Sequence, residues 1–382
     1  MGNQPISCFA YLAAKPIHIM IERRKFIKHA AIGAAVVATA TAGFSQLVAK
    51  KKKERLGVAL VGLGYYSTDL LAPALQLTRH CYLAGIVTGT PEKAEGWQKK
   101  YNLPAKNIYN YDNFNSIADN PDIDVVYVVL PPVLHKEFTI RAANAGKHVW
   151  CEKPMAMTVA ECADMIKACT DNKVKLAIGY RMQHEPNTQE IIGYGRDKTF
   201  GKVRMVSASS GYFDPRSDHW KQKRNMGGGA MFDMGVYCLN AARYVTGEEP
   251  MAVLAQEKTT RPEIYTGTDE TTLFQLEFPS GALANCATSL GMSMNYLHVT
   301  AEQGWYKLEP FQSYSGIQGS TSKGKLLNLQ IPNEQAKQMD DDALAIINDT
   351  SLLVPGEEGL HDIRVVEAIH QSALEGRRVV IS

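Results

Sequence analysis

The stretch Leu56-Gly57-Val58-Ala59-Leu60-Val61-Gly62-Leu63-Gly64-Tyr65-Tyr66-Ser67 decides how this chain folds. Its first six residues form a compact apolar run, and an amphipathic stretch from Thr68 to Arg79 follows it. This order predicts a buried strand, a tight turn and a helix whose first N–H groups can hold a pyrophosphate. A Gly-x-Gly alone is weak evidence, but a strand before it and a helix after it are what a dinucleotide fingerprint requires. The residues predicted to contact a nucleotide here are Gly62, Gly64, Tyr65 and Tyr66.

Strands and helices alternate over the next hundred residues. The run Asp124–Leu130 is nearly all apolar and β-branched, as expected of a strand covered on both faces. Alternation of this kind is typical of a parallel α/β sheet. We therefore predict a Rossmann domain over residues 54–178. Its further strands are Tyr82–Val87, His148–Cys151 and Lys175–Ile178, and its helices are Pro91–Tyr101, Leu134–Ala145 and Thr158–Thr170.

The pattern changes after Tyr180, where alternating and β-branched runs follow one another with few helices between them. This predicts a C-terminal α+β domain over residues 179–382, with an open, mostly antiparallel sheet. An open apolar face favours a homodimer or homotetramer. The predicted strands are Lys202–Ser210, Met251–Glu257, Thr271–Phe278, Ala282–Leu290 and Tyr296–Thr300, and the predicted final helix is Gly356–Gly376.

The composition and the N-terminal residues limit the class of protein and predict its cellular location. The chain has 382 residues, 45% of them hydrophobic, and a net charge of +2, so it can bury two cores and has no basic footprint for nucleic acid. Arg23 and Arg24 precede a mild apolar stretch, Ala30–Phe44, which predicts a twin-arginine export signal within residues 1–49. We expect a periplasmic protein without membrane attachment after cleavage. An uncleaved anchor is the alternative, for which the stretch is short and alanine-rich.

The cysteines predict neither disulfides nor a metal site. Their number, seven, is odd, and none of them has metal-ligand spacing. Four of them fall in predicted core elements and should behave as small buried hydrophobes: Cys151, Cys162, Cys169 and Cys238.

The end of the second predicted strand, Val87-Thr88-Gly89-Thr90-Pro91-Glu92-Lys93, bears on the choice of nucleotide. An NAD site usually places an acidic side chain there for the ribose 2′-hydroxyl. Thr88 and Lys93 suit a 2′-phosphate better, so we predict NADP over NAD. Glu92 would then be an acid at a helix N-terminus, favoured by the helix dipole.

Three further motifs lie where cofactor and substrate should meet. Pro131 and His135 follow the buried strand; Pro131 can line the nicotinamide side, and His135 contacts the cofactor or is structural. Glu152-Lys153-Pro154 ends the next strand, where a lysine can act as a fixed cation beside a reacting hydroxyl.

Asp233, Tyr237 and Asn240 are spaced i, i+4 and i+7 and form a polar face on an otherwise apolar helix. This face predicts a phenol placed for proton transfer and a carboxylate that orients the substrate. The alternative is a hydrogen-bonded network that packs two domains together.

These motifs resemble the glucose–fructose oxidoreductase branch of the Gfo/Idh/MocA dehydrogenases. Tyr237 stands where many relatives in the wider family have histidine, whereas Pro132 and Lys221 depart from the pattern of asparagine and arginine. The resemblance adds Glu152, Lys153, Tyr180 and Arg181 as cofactor contacts. The motifs that carry it are Gly62–Tyr65, Cys151–Ala156, Ile178–Arg181, Gly227–Gly229 with Asp233 and Tyr237, and Gly356–Gly359.

The resemblance implies that an aldose is oxidised to its lactone and a second sugar is reduced while the NADP stays bound. Tyr237 would take the proton of the anomeric hydroxyl. A tyrosine in water titrates near about 10, so Lys153 would have to favour the phenolate.

Three other functions stay open at this point. They are an ordinary NAD(P)-dependent sugar dehydrogenase that releases its cofactor, an NAD-dependent glycosidase on the same fold, and a non-catalytic NADP-sensing or sugar-binding module. The sequence does not identify the sugar. Side chains that could contact it, each equally suited to a surface or interdomain role, are His184, Asp214, Arg216, His219, Trp220 and Arg224.

Overall fold

Two sheets organise residues 53–381, which are the residues that the computed structural model describes. The predicted export signal and leader, residues 1–49, lie outside the described residues. That assignment stays a prediction.

The first sheet has six strands, all of them parallel, in the order β3-β2-β1-β4-β5-β6. Its strand order reverses direction between β1 and β4, and in doubly wound sheets ligands bind at this switch point. The predicted Rossmann fold is confirmed. The strands are β1 (Leu56–Val61), β2 (Cys81–Val87), β3 (Ile108–Tyr109), β4 (Val125–Val128), β5 (His148–Cys151) and β6 (Leu176–Ile178).

The helix after β1 differs from the predicted Thr68–Arg79. It begins as a π-helical turn, Tyr66–Leu71, and continues as the short α1 (Ala72–Leu75). It ends early because the Thr78 hydroxyl lies 2.9 Å from the carbonyl oxygens of both Leu75 and Cys81, and turns the chain into β2. The other helices of this half are α2 (Pro91–Tyr101), α3 (His135–Asn144) and α4 (Val159–Asp171).

The second sheet has nine strands in the order β14-β13-β12-β11-β7-β10-β9-β8-β15, and only β7 and β10 pair in parallel. It is the predicted mostly antiparallel sheet. Its strands are β7 (Val203–Gly211), β8 (Ala252–Lys258), β9 (Thr271–Glu277), β10 (Leu283–Ser289), β11 (Met294–Ala301), β12 (Gly304–Leu308), β13 (Gly319–Thr321), β14 (Leu326–Leu327) and β15 (Val379–Val380). Its helices are α5 (Pro186–Arg196), α6 (Val236–Thr246), α7 (Glu334–Ile347) and α8 (Gly356–Glu375).

One face of the second sheet is open and carries apolar side chains. Met205 pairs with Leu283 across β7 and β10, and both side chains are exposed, whereas their neighbours Val206 and Ala284 are buried. Leu273 on β9 is also exposed. An exposed apolar face of this kind is a feature of association surfaces. The homodimer or homotetramer stays a prediction that sedimentation equilibrium would test.

Helix α7 was not predicted, and it crosses from the second half of the chain to the first. Its apolar residues Ala336, Met339 and Ala343 join the cluster formed by buried residues of β1 and β2. Asn333 caps its start by accepting a hydrogen bond from the N–H of Ala336 at 2.8 Å. Glu334, the first residue of the helix, is thereby held at the junction between the two sheets.

Side-chain burial agrees with the interpretation of the cysteines. The six cysteines among residues 53–381 are all buried and unbridged. None of the helices among these residues combines the length and the apolar character that crossing a membrane requires.

Candidate active site

The glycine-rich turn after β1 is shaped for close approach of a ligand. Gly62 has a φ of +89°, and a Cβ on it would lie 2.4 Å from the carbonyl oxygen of Val129. The Ser67 hydroxyl donates to the Gly62 carbonyl at 2.6 Å and fixes the turn. A Cβ on Gly64, by contrast, would meet no atom within 4 Å. The backbone at Gly64 therefore faces open space, as binding of a pyrophosphate at this helix start requires.

Two tyrosines follow that turn and differ in burial. Tyr65 is 65% exposed, whereas Tyr66 is partly buried, with its ring 6.2 Å from that of Tyr314. Burial raises the pKa of Tyr66, so its phenol stays protonated and can act as a donor.

The end of β2 brings the predicted 2′-phosphate residues to the same edge. Thr88 is buried, and its hydroxyl accepts a hydrogen bond from the N–H of Thr90 at 3.2 Å. The exposed Lys93 donates from Nζ to the carbonyl of Leu63, inside the glycine-rich turn, at 3.1 Å. Glu92 is exposed. A cation therefore lies next to the nucleotide turn, and the acid at this strand end faces solvent.

His135 joins two loops of the first half. Its Nδ1 lies 2.9 Å from the carbonyl oxygen of Pro154 and its Nε2 lies 2.7 Å from that of Leu130. Burial lowers the pKa of His135, so the ring is neutral and donates to one of the two carbonyls. This geometry favours the structural role for His135. Pro131, partly buried, lies beside it in the turn that begins α3.

Glu152 is a buried carboxylate at the end of β5. Its Oε1 accepts a hydrogen bond from the Tyr127 hydroxyl at 2.6 Å, and a Cβ on Gly179 would lie 2.7 Å from the same oxygen. Burial raises the pKa of Glu152, although the Tyr127 hydroxyl and Lys153 act in the opposite direction. Glu152 thus connects the ends of β4, β5 and β6 behind Lys153.

Lys153 lies between the two side chains that the sequence placed on one helix face. Its Nζ donates to the backbone carbonyl of Asp233 at 2.6 Å and is 3.6 Å from Asp233 Oδ1. The same Nζ is 4.7 Å from the centroid of the Tyr237 ring. The ammonium group therefore contacts both predicted catalytic residues at once.

The charge on Lys153 is stable. Burial alone would lower its pKa, but Tyr237, Asp233 and Glu152 outweigh that effect and raise it. Lys153 is therefore a fixed cation rather than a proton acceptor at neutral pH.

Asp233 is held by two more side chains. Lys221 Nζ lies 2.9 Å from each carboxylate oxygen, and the Tyr212 hydroxyl donates to Oδ2 at 2.9 Å. Burial would raise the pKa of Asp233, but Lys221 and Lys153 hold it well below its usual range. Asp233 is thus an anion between two cations and is suited to accept hydrogen bonds from substrate hydroxyls.

The phenol of Tyr237 is oriented by Arg181. Arg181 Nη1 donates to the Tyr237 oxygen at 3.0 Å, and Nη2 donates to the carbonyl of Ser313 at 2.7 Å. The Tyr314 ring covers the guanidinium at 4.8 Å. Arg181, predicted as a cofactor contact, therefore contacts the Tyr237 phenol. Tyr180 is 1% exposed, with its phenol near Asp362, and so belongs to the core beside the site.

A π-helical turn, Met231–Gly235, begins the helix that carries these groups, and α6 continues it. Asp269 fixes the start of the turn by accepting a hydrogen bond from the N–H of Met231 at 2.7 Å. Gly229, with φ at +118°, allows this because a Cβ there would lie 2.1 Å from Asp269 Oδ1. Turns of the π type are frequent at functional sites.

Asn240 does not join the other two polar residues of that face. Its side-chain oxygen accepts from Gln183 at 3.0 Å and its amide donates to Asp362 at 3.2 Å. Both readings of the polar face therefore apply, each to different residues: Asp233 and Tyr237 meet at Lys153, while Asn240 belongs to a packing network.

Two family models match this chain, and together they cover about three quarters of the described residues. "Oxidoreductase family, NAD-binding Rossmann fold" matches residues 56–180, and "GFO/IDH/MocA C-terminal domain" matches residues 190–307. The solved aldose-aldose oxidoreductase of Caulobacter crescentus is 42% identical, with a TM-score of 0.83, over 85% of this chain and 99% of that one. The chain belongs to the Gfo/Idh/MocA family.

Other relatives of this Gfo/Idh/MocA protein are more distant. D-xylose 1-dehydrogenase [NADP(+)] of Haloarcula marismortui is 27% identical over 82% of this chain and 90% of its own length. Trans-1,2-dihydrobenzene-1,2-diol dehydrogenase of Xenopus laevis is 32% identical over 49% of this chain and 54% of its own. The family confirms the predicted enzyme class, an NAD(P)-dependent oxidoreductase, and the open cradle at Gly64 fits its nucleotide.

The side chains predicted as sugar contacts divide into several groups in this Gfo/Idh/MocA structure. His184 is buried, with Nδ1 3.0 Å from Asp341 Oδ2 on α7, and is thus interdomain structure. Asp214 and Arg216 pair with each other. The other three are His219, which accepts from the N–H of Lys221, Trp220, which lies 5.9 Å from the Lys221 ammonium, and Arg224, which is exposed.

Sequence reasoning missed several site residues of this family member. Tyr212 ends up beside Asp233 because it directly follows β7, and no motif marks it. Lys221 was noted only as a departure from the family pattern. Helix α7, which brings Glu334 close to Arg181, could have been predicted. Its start is marked by Pro332-Asn333, and its buried face by apolar residues at 336, 339 and 343.

Proposed function

We propose that this protein is an NADP-dependent sugar oxidoreductase that oxidises an aldose to its lactone and reduces a second aldose without releasing its nucleotide. The observation that carries the proposal is the position of Lys153, whose ammonium contacts Asp233 and the Tyr237 ring together. A fixed cation, an anion and an oriented phenol suffice to bind a sugar hydroxyl and to move its proton.

The charges of the site fit this reaction. The anomeric hydroxyl of the aldose loses its proton to Tyr237 in its phenolate form as the C1–H bond breaks and a C1 carbonyl forms, which leaves Tyr237 as a neutral phenol. A nucleotide held at the turn of Gly62 and Gly64 would supply the hydride acceptor for C1 and the hydride donor for the second sugar. Lys153 and Arg181 stabilise negative charge on the phenol oxygen. In the second half-reaction, Tyr237 returns the same proton to the new alkoxide, so protons and electrons balance.

Asp233 supplies the orientation. Because two lysines keep its carboxylate ionised, it accepts hydrogen bonds from neighbouring sugar hydroxyls without taking their protons. The Tyr212 hydroxyl limits its rotation. Proton transfer and substrate binding are thereby assigned to different residues.

The names of the relatives support the choice of sugars. The Caulobacter protein is described as an aldose-aldose oxidoreductase, and the Haloarcula protein as an NADP-dependent D-xylose dehydrogenase. The second name favours an ordinary dehydrogenase with exchangeable cofactor as the competing function. The two functions differ in whether the nucleotide leaves between half-reactions.

A sugar panel on dialysed protein tests the proposal. We expect NADP to remain after dialysis, to be reduced by an aldose and to be reoxidised by a second aldose. Turnover only with added free NADP would show an ordinary dehydrogenase instead. Hydrolysis of aryl glycosides would show a glycosidase, and a protein without bound nucleotide or any of these reactions would be non-catalytic.

The preference for NADP is also a proposal, supported by the position of Lys93 beside the nucleotide turn. We predict that Lys93→Ala weakens NADP binding by roughly tenfold and changes NAD binding little, since a hydrogen bond to a charged group contributes about 1.5 kcal/mol or more. Titration of protein stripped of its nucleotide measures both affinities. Glu92→Ala is the neighbouring control. Equal losses for NADP and NAD in Lys93→Ala would contradict the prediction.

We further propose that the protein acts in the periplasm after export in the folded state. Arg23 and Arg24 ahead of the apolar stretch support this proposal. An enzyme that retains its nucleotide has to bind it in the cytoplasm and therefore needs a route that exports folded proteins. Cell fractionation should place the protein in the periplasm, and the double change of Arg23 and Arg24 to lysine should leave it in the cytoplasm. Unchanged distribution would rule out this route.

A further inference from the structure

The side chain of Arg181 has a partner on an element outside the cleft. Its Nε lies 3.4 Å from Oε2 of Glu334, the first residue of α7. Arg181 is 1% exposed and Glu334 is 3% exposed, so this ion pair is almost free of solvent screening. The Tyr237 phenol, the Arg181 guanidinium and the Glu334 carboxylate therefore form a continuous series from the reacting oxygen to α7.

We infer that Glu334 is a positioning residue for the reaction: its ionised carboxylate holds the Arg181 guanidinium against the Tyr237 oxygen. The inference rests on the proposed function. Two neutral groups hold the guanidinium on its other sides, the Ser313 carbonyl and the Tyr314 ring. Glu334 is the carboxylate within ion-pair distance of it among residues 53–381. Loss of this negative charge removes the ion pair between Arg181 and α7 and leaves Tyr237 less well oriented.

The charged and titratable groups around Glu334 come from several elements. Arg181 lowers the pKa of Glu334 and Glu185, at the start of α5, raises it, but burial dominates and brings it to about 7. Tyr66, from the turn after β1, acts on the far side of Arg181. Other titratable groups near α7 have their own contacts: His184 and Lys337 with Asp341, and Cys81 of β2 with the Met339 carbonyl. Asp342, also on α7, is buried.

Several buried polar atoms at the start of α7 and in its surroundings have no hydrogen-bond partner within the described part of the protein. Among the described residues, Glu334 Oε2, both polar atoms of the Gln335 side chain and His184 Nε2 have no hydrogen-bond partner. Buried polar atoms of this kind are normally satisfied by ordered water. Water bound at these atoms would give the Glu334 carboxylate a route for proton exchange with solvent.

The test compares pH profiles of three variants. In wild type, kcat should fall as the pH drops from about 8 to 6, because Glu334 becomes protonated and releases Arg181. Glu334→Gln should lower kcat at pH 8 on the order of tenfold, below the ~100-fold that a 1 Å misplacement can cost, and should abolish the fall. KM should stay within about twofold because Glu334 does not touch the substrate.

Asp342→Asn is the matched control. Asp342 is also buried on the inner face of α7, and burial raises its pKa to about 6, but His184 and Asp341 rather than Arg181 act on its charge. Asp342→Asn should keep the pH-dependent fall of wild type. If Glu334→Gln and Asp342→Asn lowered kcat and changed its pH profile equally, the effect would come from the loss of any buried carboxyl of α7. The inference would then be wrong.

Glu334→Asp provides a second variant should Glu334→Gln not fold. It keeps the charge but withdraws it from Arg181 by one methylene, so kcat should drop while the pH dependence persists. If Glu334→Gln or Glu334→Asp kept both the kcat and the pH profile of wild type, the inference would be wrong and the proposed function would be unaffected. Absence of hydride transfer in wild type with every sugar would instead overturn the proposed function and the inference with it.

Discussion

Lys153→Met is expected to lower kcat for aldose oxidation about 100- to 1000-fold, while the protein keeps its nucleotide. Removing one preorganised charge that stabilises a developing oxyanion costs this much in enzymes. Here the loss is of a cation that contacts the Asp233 carboxylate and the Tyr237 ring from one position. Reduction of the bound nucleotide, followed by absorbance in single-turnover experiments, measures the effect on hydride transfer alone.

Lys221→Met is the comparison for this change. It also removes a cation from Asp233, but Lys221 does not contact the ring of Tyr237 in the described structure. We expect a smaller loss of kcat and a rise in KM, because this change disturbs the orientation of Asp233 more than that of the Tyr237 phenol. Near-normal hydride transfer in Lys153→Met would remove the basis of the proposed mechanism.

Tyr237→Phe should abolish most of the turnover, by about 100- to 10,000-fold, because it removes the group that accepts and returns the proton. The ring itself, over which the Lys153 ammonium lies, is retained. Nucleotide content and thermal unfolding should therefore resemble those of wild type. Steady-state kinetics with the preferred aldose provides the measurement.

Tyr212→Phe is matched to it chemically, since it removes one hydroxyl from a phenol that reaches Asp233 rather than Tyr237. A modest loss is expected there. If the two phenylalanine variants lost activity equally, proton transfer would not be the particular task of Tyr237. Substantial turnover in Tyr237→Phe would assign the proton to another group.

The sequence predicted the parts of the fold and site that depend on local pattern. The apolar run before Gly62 and the all-apolar β4 identified the parallel sheet, and the spacing of Asp233 and Tyr237 identified two residues that Lys153 contacts. These predictions succeeded because strand burial and helix periodicity follow directly from neighbouring residues.

What the sequence did not predict depends on contacts between distant segments. Arg181 was expected beside a cofactor, but its Nη1 points at Tyr237, 56 residues later in the chain. The return of α7 to the first sheet places Glu334 beside it, and no local pattern encodes that pairing. The helix after β1 stopped early because of one threonine hydroxyl, which competes with the backbone for carbonyl partners.

The path of α7 also affects how far the cleft can open. Its apolar side packs against the strands of the first sheet, while its first residue, Glu334, pairs with the arginine that contacts the Tyr237 phenol. We therefore expect that a hinge motion wide enough to release a dinucleotide would break the ion pair between Glu334 and Arg181 or separate α7 from the first sheet. The proposed sugar substrates are smaller, so we expect them to exchange through a narrower opening that leaves both contacts intact.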